Sequence, residues 1–174
     1  ILNKMRRPYS RHFFKDLVLK IHERIPDAAI GVDVLVGFPG ESEAAFEHTH
    51  SLIAELPVTY LHVFPFSARK GTPAYSFSDT VAPEIVRERA HRMRKLGKIK
   101  KSVFYNIFTN KKLELVVEGI ADISTEYLKG TSSNYIPVFF RGNQKLINTL
   151  IEVQIGTVDN HLNVFGGLHD TSKK

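Results

Sequence analysis

The chain has 174 residues, 43% hydrophobic and 24% charged, with a formal net charge of +6. That suits a globular protein with a real core, in one large domain or two small ones, and the positive excess favours a polyanionic partner. The absence of cysteine excludes disulfides, thiolate catalysis, Cys-held zinc and Cys-ligated iron–sulfur clusters within these residues.

No apolar run approaches the roughly 18 to 20 residues that cross a bilayer, and no signal-peptide pattern is present, so the expected setting is cytoplasmic. The sequence opens on Ile1, with no helix cap ahead of its first turn, and reads as a piece of something longer. Ser10 is suited to cap a helix, because its hydroxyl can accept from the free amides of the next turn. Phe14, Leu17, Ile21 and Ile25 then follow at helical spacing up to Pro26, a helix stop.

Ile30–Glu41 (IGVDVLVGFPGE) is the most informative stretch. Its aliphatic run predicts a strand buried on both faces, and Gly37 and Gly40 allow a sharp turn or a close ligand approach. A helix is expected from Ser42 to Leu56, then a second strand through Thr59–Ser67. Helix, strand, helix, strand, helix is the order of parallel βα units, in which ligands sit at the carboxyl end of the sheet. Two strands alone make a poor parallel sheet, so further strands are expected outside this chain.

A long helix is predicted from Pro83, with Val86, Ala90, Met93, Leu96, Val103 and Ile107 as its buried stripe. Between Arg87 and Lys101 it carries eight Lys or Arg and one acid, Glu88. Such a run is either a solvated face or a contact for a phosphate backbone. From about Lys111 the pattern alternates instead. Leu113 to Val117, Ser133 to Phe140, Thr149 to Ile155 and Leu162 to Phe165 read as strands punctuated by glycines. Short strands at this spacing suit a small closed barrel of the OB kind.

Taken singly, the polar candidates point to little chemistry. Asp33 has no base beside it in sequence, and His62 on an apolar strand reads as a core histidine. His48 and His50 fall on different helix faces. There is no phosphate-cradling Gly-x-x-x-x-Gly-Lys and no Gly-x-Ser-x-Gly. Tyr135, Phe139 and Phe140 are candidates to stack on bases, although strand aromatics more often fill a core. No catalytic residue and no metal site is assigned.

Taken together and in order, three segments are specific. They are Met5-Arg6-Arg7-Pro8-Tyr9, then Asp33 to Glu41, then Leu61-His62-Val63-Phe64-Pro65-Phe66-Ser67 with Arg69 and Gly71-Thr72-Pro73-Ala74. They resemble the radical S-adenosylmethionine methylthiotransferases, and the closing strands resemble that family's TRAM domain, an RNA-binding β-barrel. The resemblance implies an α/β fold in residues 1–108, the C-terminal portion of a radical-SAM (β/α) barrel with a long basic helix. It implies a small all-β, OB-like TRAM barrel in 109–174.

The third segment, Leu61–Ser67 with Arg69 and Gly71-Thr72, looks most like the MtaB branch, which methylthiolates threonylcarbamoyl-adenosine beside the tRNA anticodon. MiaB-type and RimO-type substrates, or a stand-alone RNA-binding module, are the alternatives. The cofactors implied for the full-length parent are S-adenosylmethionine and two 4Fe-4S clusters, with tRNA as the partner. The cofactor-binding positions implied are Arg7, Asp33, Gly37, Pro39, Glu41, Val63 and Phe64. Those implied for RNA are Arg69, Lys129, Asn134, Tyr135, Arg141 and Lys145. The family's cluster-holding cysteines and its N-terminal domain have no counterpart here, so these residues alone are expected to be catalytically inactive.

Overall fold

The computed structural model describes residues 1–122 and 127–168. The chain divides into two compact units, Ile1–Lys100 and Lys101–Lys174.

The first unit is α/β. Helix α1 (Arg11–Arg24) starts where the cap is expected, with Ser10 Oγ accepting from the Phe13 amide. Strand β1 (Gly31–Val36), helix α2 (Glu43–Glu55) and strand β2 (Tyr60–Pro65) follow. The strands pair in parallel, with Asp33 opposite His62 and Leu35 opposite Phe64. Parallel pairing needs a crossover, and α2 supplies it. Helix α3 (Pro83–Ile107) begins on a proline, as a first turn tolerates, and runs on into the second unit.

One face of this sheet is covered. Val34 and Val36 pack with Phe46 and Ile53 of α2 and with Ala90, Met93 and Leu96 of α3, joined by Leu61 and Val63. A second cluster ties Val18 of α1 to Ile30, Leu52, Leu56 and Val58. The other face, bearing Gly31, Asp33, Leu35, Tyr60, His62 and Phe64, is not closed over, and Phe64 is 50% exposed. The expectation of a strand buried on both faces is thus corrected: three helices cover one side only. His62 likewise faces solvent rather than the core.

Two expected stripes also shift. Leu17 on α1, Ile25 just past its end, and Val103 and Ile107 on α3 are exposed. Val18 is the buried residue of α1, and Phe104, Tyr105 and Phe108 are buried near the end of α3. Leu17, Val103 and Ile107 each stand one residue before a buried neighbour, Val18, Phe104 and Phe108. One residue is about 100° round a helix, enough to move a side chain off the core side.

The second unit is a closed five-stranded barrel. Its strands are β3 (Lys112–Asp122), β4 (Tyr127–Ser132), β5 (Pro137–Arg141), β6 (Leu150–Val158) and β7 (Val164–Leu168). The order around the barrel is β3-β4-β5-β7-β6, closed by β3 against β6, with only β5 and β7 parallel. That is the connectivity of an OB-like barrel. Leu115, Val117, Leu128, Val138, Phe140, Val153, Ile155 and Val164 point inward and are fully buried. Within the stretch expected to be a strand, residues 133–136 instead form a turn, and β5 starts at Pro137. That turn is fed by β4, a strand whose Lys129-Gly130-Thr131-Ser132 sequence carries little apolar signal.

Candidate cofactor and nucleic-acid sites

In the α/β unit, β1 breaks into a turn that the surrounding residues hold rigidly. Gly37 has φ +80° and Gly40 φ +84°, a region that non-glycine residues avoid. A Cβ on Gly37 would lie 2.4 Å from Val86 Cγ2, so no other residue fits. The Glu41 carboxylate accepts from the Gly37 amide at 2.7 Å and pairs with Arg89 at 2.9 Å. Arg89 also donates to the Glu41 carbonyl and to Glu43, and both Arg89 and Glu41 are buried. The Gly40 amide is bound by the Asp79 carbonyl at 2.7 Å. Phe38 inserts between the rings of Phe66 and Phe77.

Beside this turn lies a cleft of about 240 Å³, lined by Gly37, Pro39, Phe66, Val86 and Arg87 among others. On the open sheet face, Asp33 and His62 are register partners, so a base does stand across from Asp33. The Tyr60 ring lies over Gly31, where a Cβ would meet it at 2.2 Å, and packs edge-on against His62. Apolar Leu35 and Phe64 beside polar Asp33 and His62 suit a ligand with both a flat apolar ring and polar groups.

The positions singled out by sequence are dispersed around these features. Gly37 and Pro39 line the cleft, and Asp33 and Phe64 stand on the open face. Glu41 is committed to Gly37 and Arg89, so its role in this structure is to hold the turn. Val63 turns its side chain toward the helices, which leaves only its backbone toward the open side. Arg7 is exposed in the N-terminal turn, its amide bound to the Leu2 carbonyl. Tyr60, His62 and Arg89 were not singled out as site residues. The strand register would have flagged the first two, whereas Arg89 is indistinguishable by sequence from its basic neighbours.

Among the described residues no three His, Asp or Glu side chains converge as metal ligands, and the chain has no cysteine. The residues present do not fit an iron–sulfur cluster.

A second candidate site lies on the outer face of β4, β5 and β7. Tyr127 and Phe139 each pack against Phe165 with centroids 5.8 Å apart. Arg141 lies over the Tyr127 ring at 5.7 Å, a cation–π contact. Lys129 stands opposite Phe139 and pairs with Glu118 at 3.4 Å. The face formed by the second and third strands is where OB barrels take oligonucleotides. Lys129 and Arg141 of the expected set therefore lie on one face, together with Tyr127 and Phe165, which the sequence did not single out. Of the aromatic candidates, Phe140 is core and Phe139 is on the outer face.

Asn134 is buried and accepts from Ser132 Oγ at 2.6 Å, while Ser132 Oγ takes the Ile136 amide at 3.0 Å. This knot holds Tyr135 with φ +60° and 77% exposed. Lys145 is exposed in a separate turn, and Arg69 belongs to the first unit, where its carbonyl accepts from Thr72.

No protein-family model matches the chain. Among curated proteins it is 36% identical over 157 residues to a threonylcarbamoyladenosine tRNA methylthiotransferase of Bacillus subtilis, covering 89% of this chain and 35% of that protein. It is 34% identical over 155 residues to a tRNA-2-methylthio-N(6)-dimethylallyladenosine synthase of Oceanobacillus iheyensis, covering 89% and 30%. A synthase of the same name from Acetivibrio thermocellus is 35% identical over 159 residues, covering 91% and 33%. The chain belongs to the same family as these methylthiotransferases. It spans about a third of the length of the relatives it matches.

Proposed function

We propose that this chain supplies one edge of the cofactor-bearing sheet and an RNA grip to a tRNA methylthiotransferase whose cluster ligands lie outside these 174 residues. The observation that carries the reading is the parallel β1–β2 register ending in a rigid glycine turn, in a chain that also holds an OB-like barrel. In this reading β1 and β2 belong to a radical-SAM (β/α) barrel and the closed barrel is a TRAM domain, with the open sheet face turned toward S-adenosylmethionine. Phe64 and the Val63 backbone would flank the adenine, Asp33 would accept from polar hydrogens, and Gly37 and Pro39 would let the backbone approach. Arg7 would serve the cofactor's carboxylate.

When bound, S-adenosylmethionine would supply the methyl group and, on taking an electron from a cluster held outside these residues, the radical; this chain's residues would help to bind, orient and shield it. On the barrel, Tyr127, Phe139, Phe165 and Tyr135 would stack on unpaired bases while Lys129, Arg141 and Lys145 meet phosphates. Arg69 would add a contact from the first unit. The setting is the cytoplasm, where tRNA is found.

Relatives named for threonylcarbamoyladenosine and for dimethylallyladenosine match about equally well. The Leu61–Ser67 motif favours the first as substrate. The test is to express the full-length gene anaerobically in a strain lacking its own methylthiotransferases and to assay tRNA nucleosides by mass spectrometry. A methylthio group on threonylcarbamoyladenosine is expected. One on dimethylallyladenosine would move the protein to the other branch, and no methylthio nucleoside from a cluster-loaded enzyme would refute the reading.

A further inference from the structure

Eight Lys or Arg crowd residues Arg87 to Lys101, and the fold sorts them. Arg89 and Arg92 turn toward α2, paired with Glu41, Glu43 and Glu47. Lys100 caps the end of α2 by donating to the Ala54 and Leu56 carbonyls. Lys101 lies over the Tyr105 ring. Arg87, Arg94, Lys95 and Lys98 are exposed. Lys95 stands off to one side, while Arg87, Arg94 and Lys98, with exposed His91 between them, recur at steps of four, three and four residues. At about 100° per residue the four fall within roughly a 60° arc, well round the helix from the buried Met93, and the row is about 16 Å long. Glu88, the one acid in the run, falls outside that arc.

A merely solvated helix face mixes signs at such spacings. This row holds three cations and no acid, and its length matches roughly four or five phosphates of a helical nucleic-acid strand. One end of it is also an element of the cleft, because Arg87 is among the residues lining the hollow beside Gly37 and Pro39. A membrane surface fits less well. Helices that lie on bilayers insert an apolar face, and Ala90, Met93 and Leu96 of α3 are in the core. Its exposed Ile99, Val103 and Ile107 fall about 80° or more round the helix from the row, so inserting them would turn the row away from the bilayer.

We propose that Arg87, His91, Arg94 and Lys98 form a track for the phosphate backbone of RNA that leads the strand to the cleft at the carboxyl end of β1. The track rests on the reading that RNA is the partner. The row belongs to the first unit and the barrel face to the second, so the two are tested separately.

The experiment measures binding of this chain to a synthetic anticodon stem–loop RNA across a series of salt concentrations. Four proteins are compared: the natural sequence, Arg87→Gln/Arg94→Gln/Lys98→Gln, the charge-keeping Arg87→Lys/Arg94→Lys/Lys98→Arg, and a control with equal charge loss on α1, Lys15→Gln/Lys20→Gln/Arg24→Gln. Three lost phosphate contacts should lower the magnitude of the log–log salt slope by about 2 to 3 and weaken binding at moderate salt by about 10- to 100-fold. The charge-keeping variant should retain binding, and the control should change less than about threefold.

An unchanged slope in the glutamine variant overturns the track and leaves the RNA reading standing. Equal loss in the control overturns it as bulk electrostatics. No RNA binding by the natural sequence at low salt overturns both. Loss of binding to phosphatidylglycerol vesicles with RNA binding intact would reassign the row to a membrane. Circular dichroism checks the helix, and should the triple variant not fold, each single variant is expected to remove about one unit of slope.

Discussion

At the scale of single residues, the turn after β1 depends on a charge that sequence did not distinguish. Arg89 and Glu41 have side chains only 5% and 7% exposed. Removing one member of such a pair leaves the other buried without its counter-charge, so Arg89→Ala should destabilise the α/β unit by about 3 to 5 kcal/mol in denaturant unfolding. Arg89→Lys should recover little, since one ammonium cannot bridge Glu41, its carbonyl and Glu43 in the same geometry. A loss below about 1 kcal/mol in both would mean the pair does not hold the turn. Tyr135 is strained in the opposite sense. A left-handed tyrosine costs roughly 1 to 2 kcal/mol, and this one buries little of its ring in return. Tyr135→Gly should therefore leave the thermal midpoint of the barrel unchanged or raise it, while weakening RNA binding. Lower stability with unchanged binding would make the tyrosine structural.

At the scale of elements, α2 and α3 are joined by ion pairs over a packed core, and their pH response has a definite sign. The hydrogen bond from Arg89, with Arg92 adding to it, holds the Glu43 carboxyl below the usual carboxylate range. A lowered folded-state value means the stabilisation is complete above that range and is lost as pH falls through it. Circular dichroism should show the α/β unit losing stability on acidification, and Glu43→Gln should flatten part of that fall. Because Glu43 is largely exposed, added salt should shrink the effect. An identical acid profile in the variant would mean the bridge is idle. The elements themselves were largely legible. Ser10 and the proline-flanked segments announced their helices, and the aliphatic run of β1 its strand, because capping and periodicity are local. What was not legible is non-local. Which side of a strand stays open, that His62 stands across from Asp33, and that Phe165 joins Tyr127 and Phe139 all depend on register between distant segments. Strand β4 was missed because its pairing partners, and not its own residues, make it a strand.

At the scale of the whole molecule, the two sheets contrast in how their edges are managed. The barrel closes β3 onto β6 and leaves no open edge. The parallel sheet has β1 and β2 only among the described residues, so each has one side without a strand partner. Its uncovered face presents Phe64 at 50% exposure, and Phe13 and Leu17 of α1 and Ile25 at its end are each more than 40% exposed. Unpaired edges beside apolar surface attract another chain. Sedimentation velocity of this chain should therefore show self-association that grows with protein concentration. Phe64→Glu should weaken it at least about threefold by placing a charge beside the edge, without unfolding the helices. The barrel residues should not matter, so Phe139→Ala should leave the association unchanged while weakening RNA binding. A sample that stays monomeric at every concentration would mean the β1 and β2 edges are protected in solution. That result would count against a sheet that needs further strands to complete it.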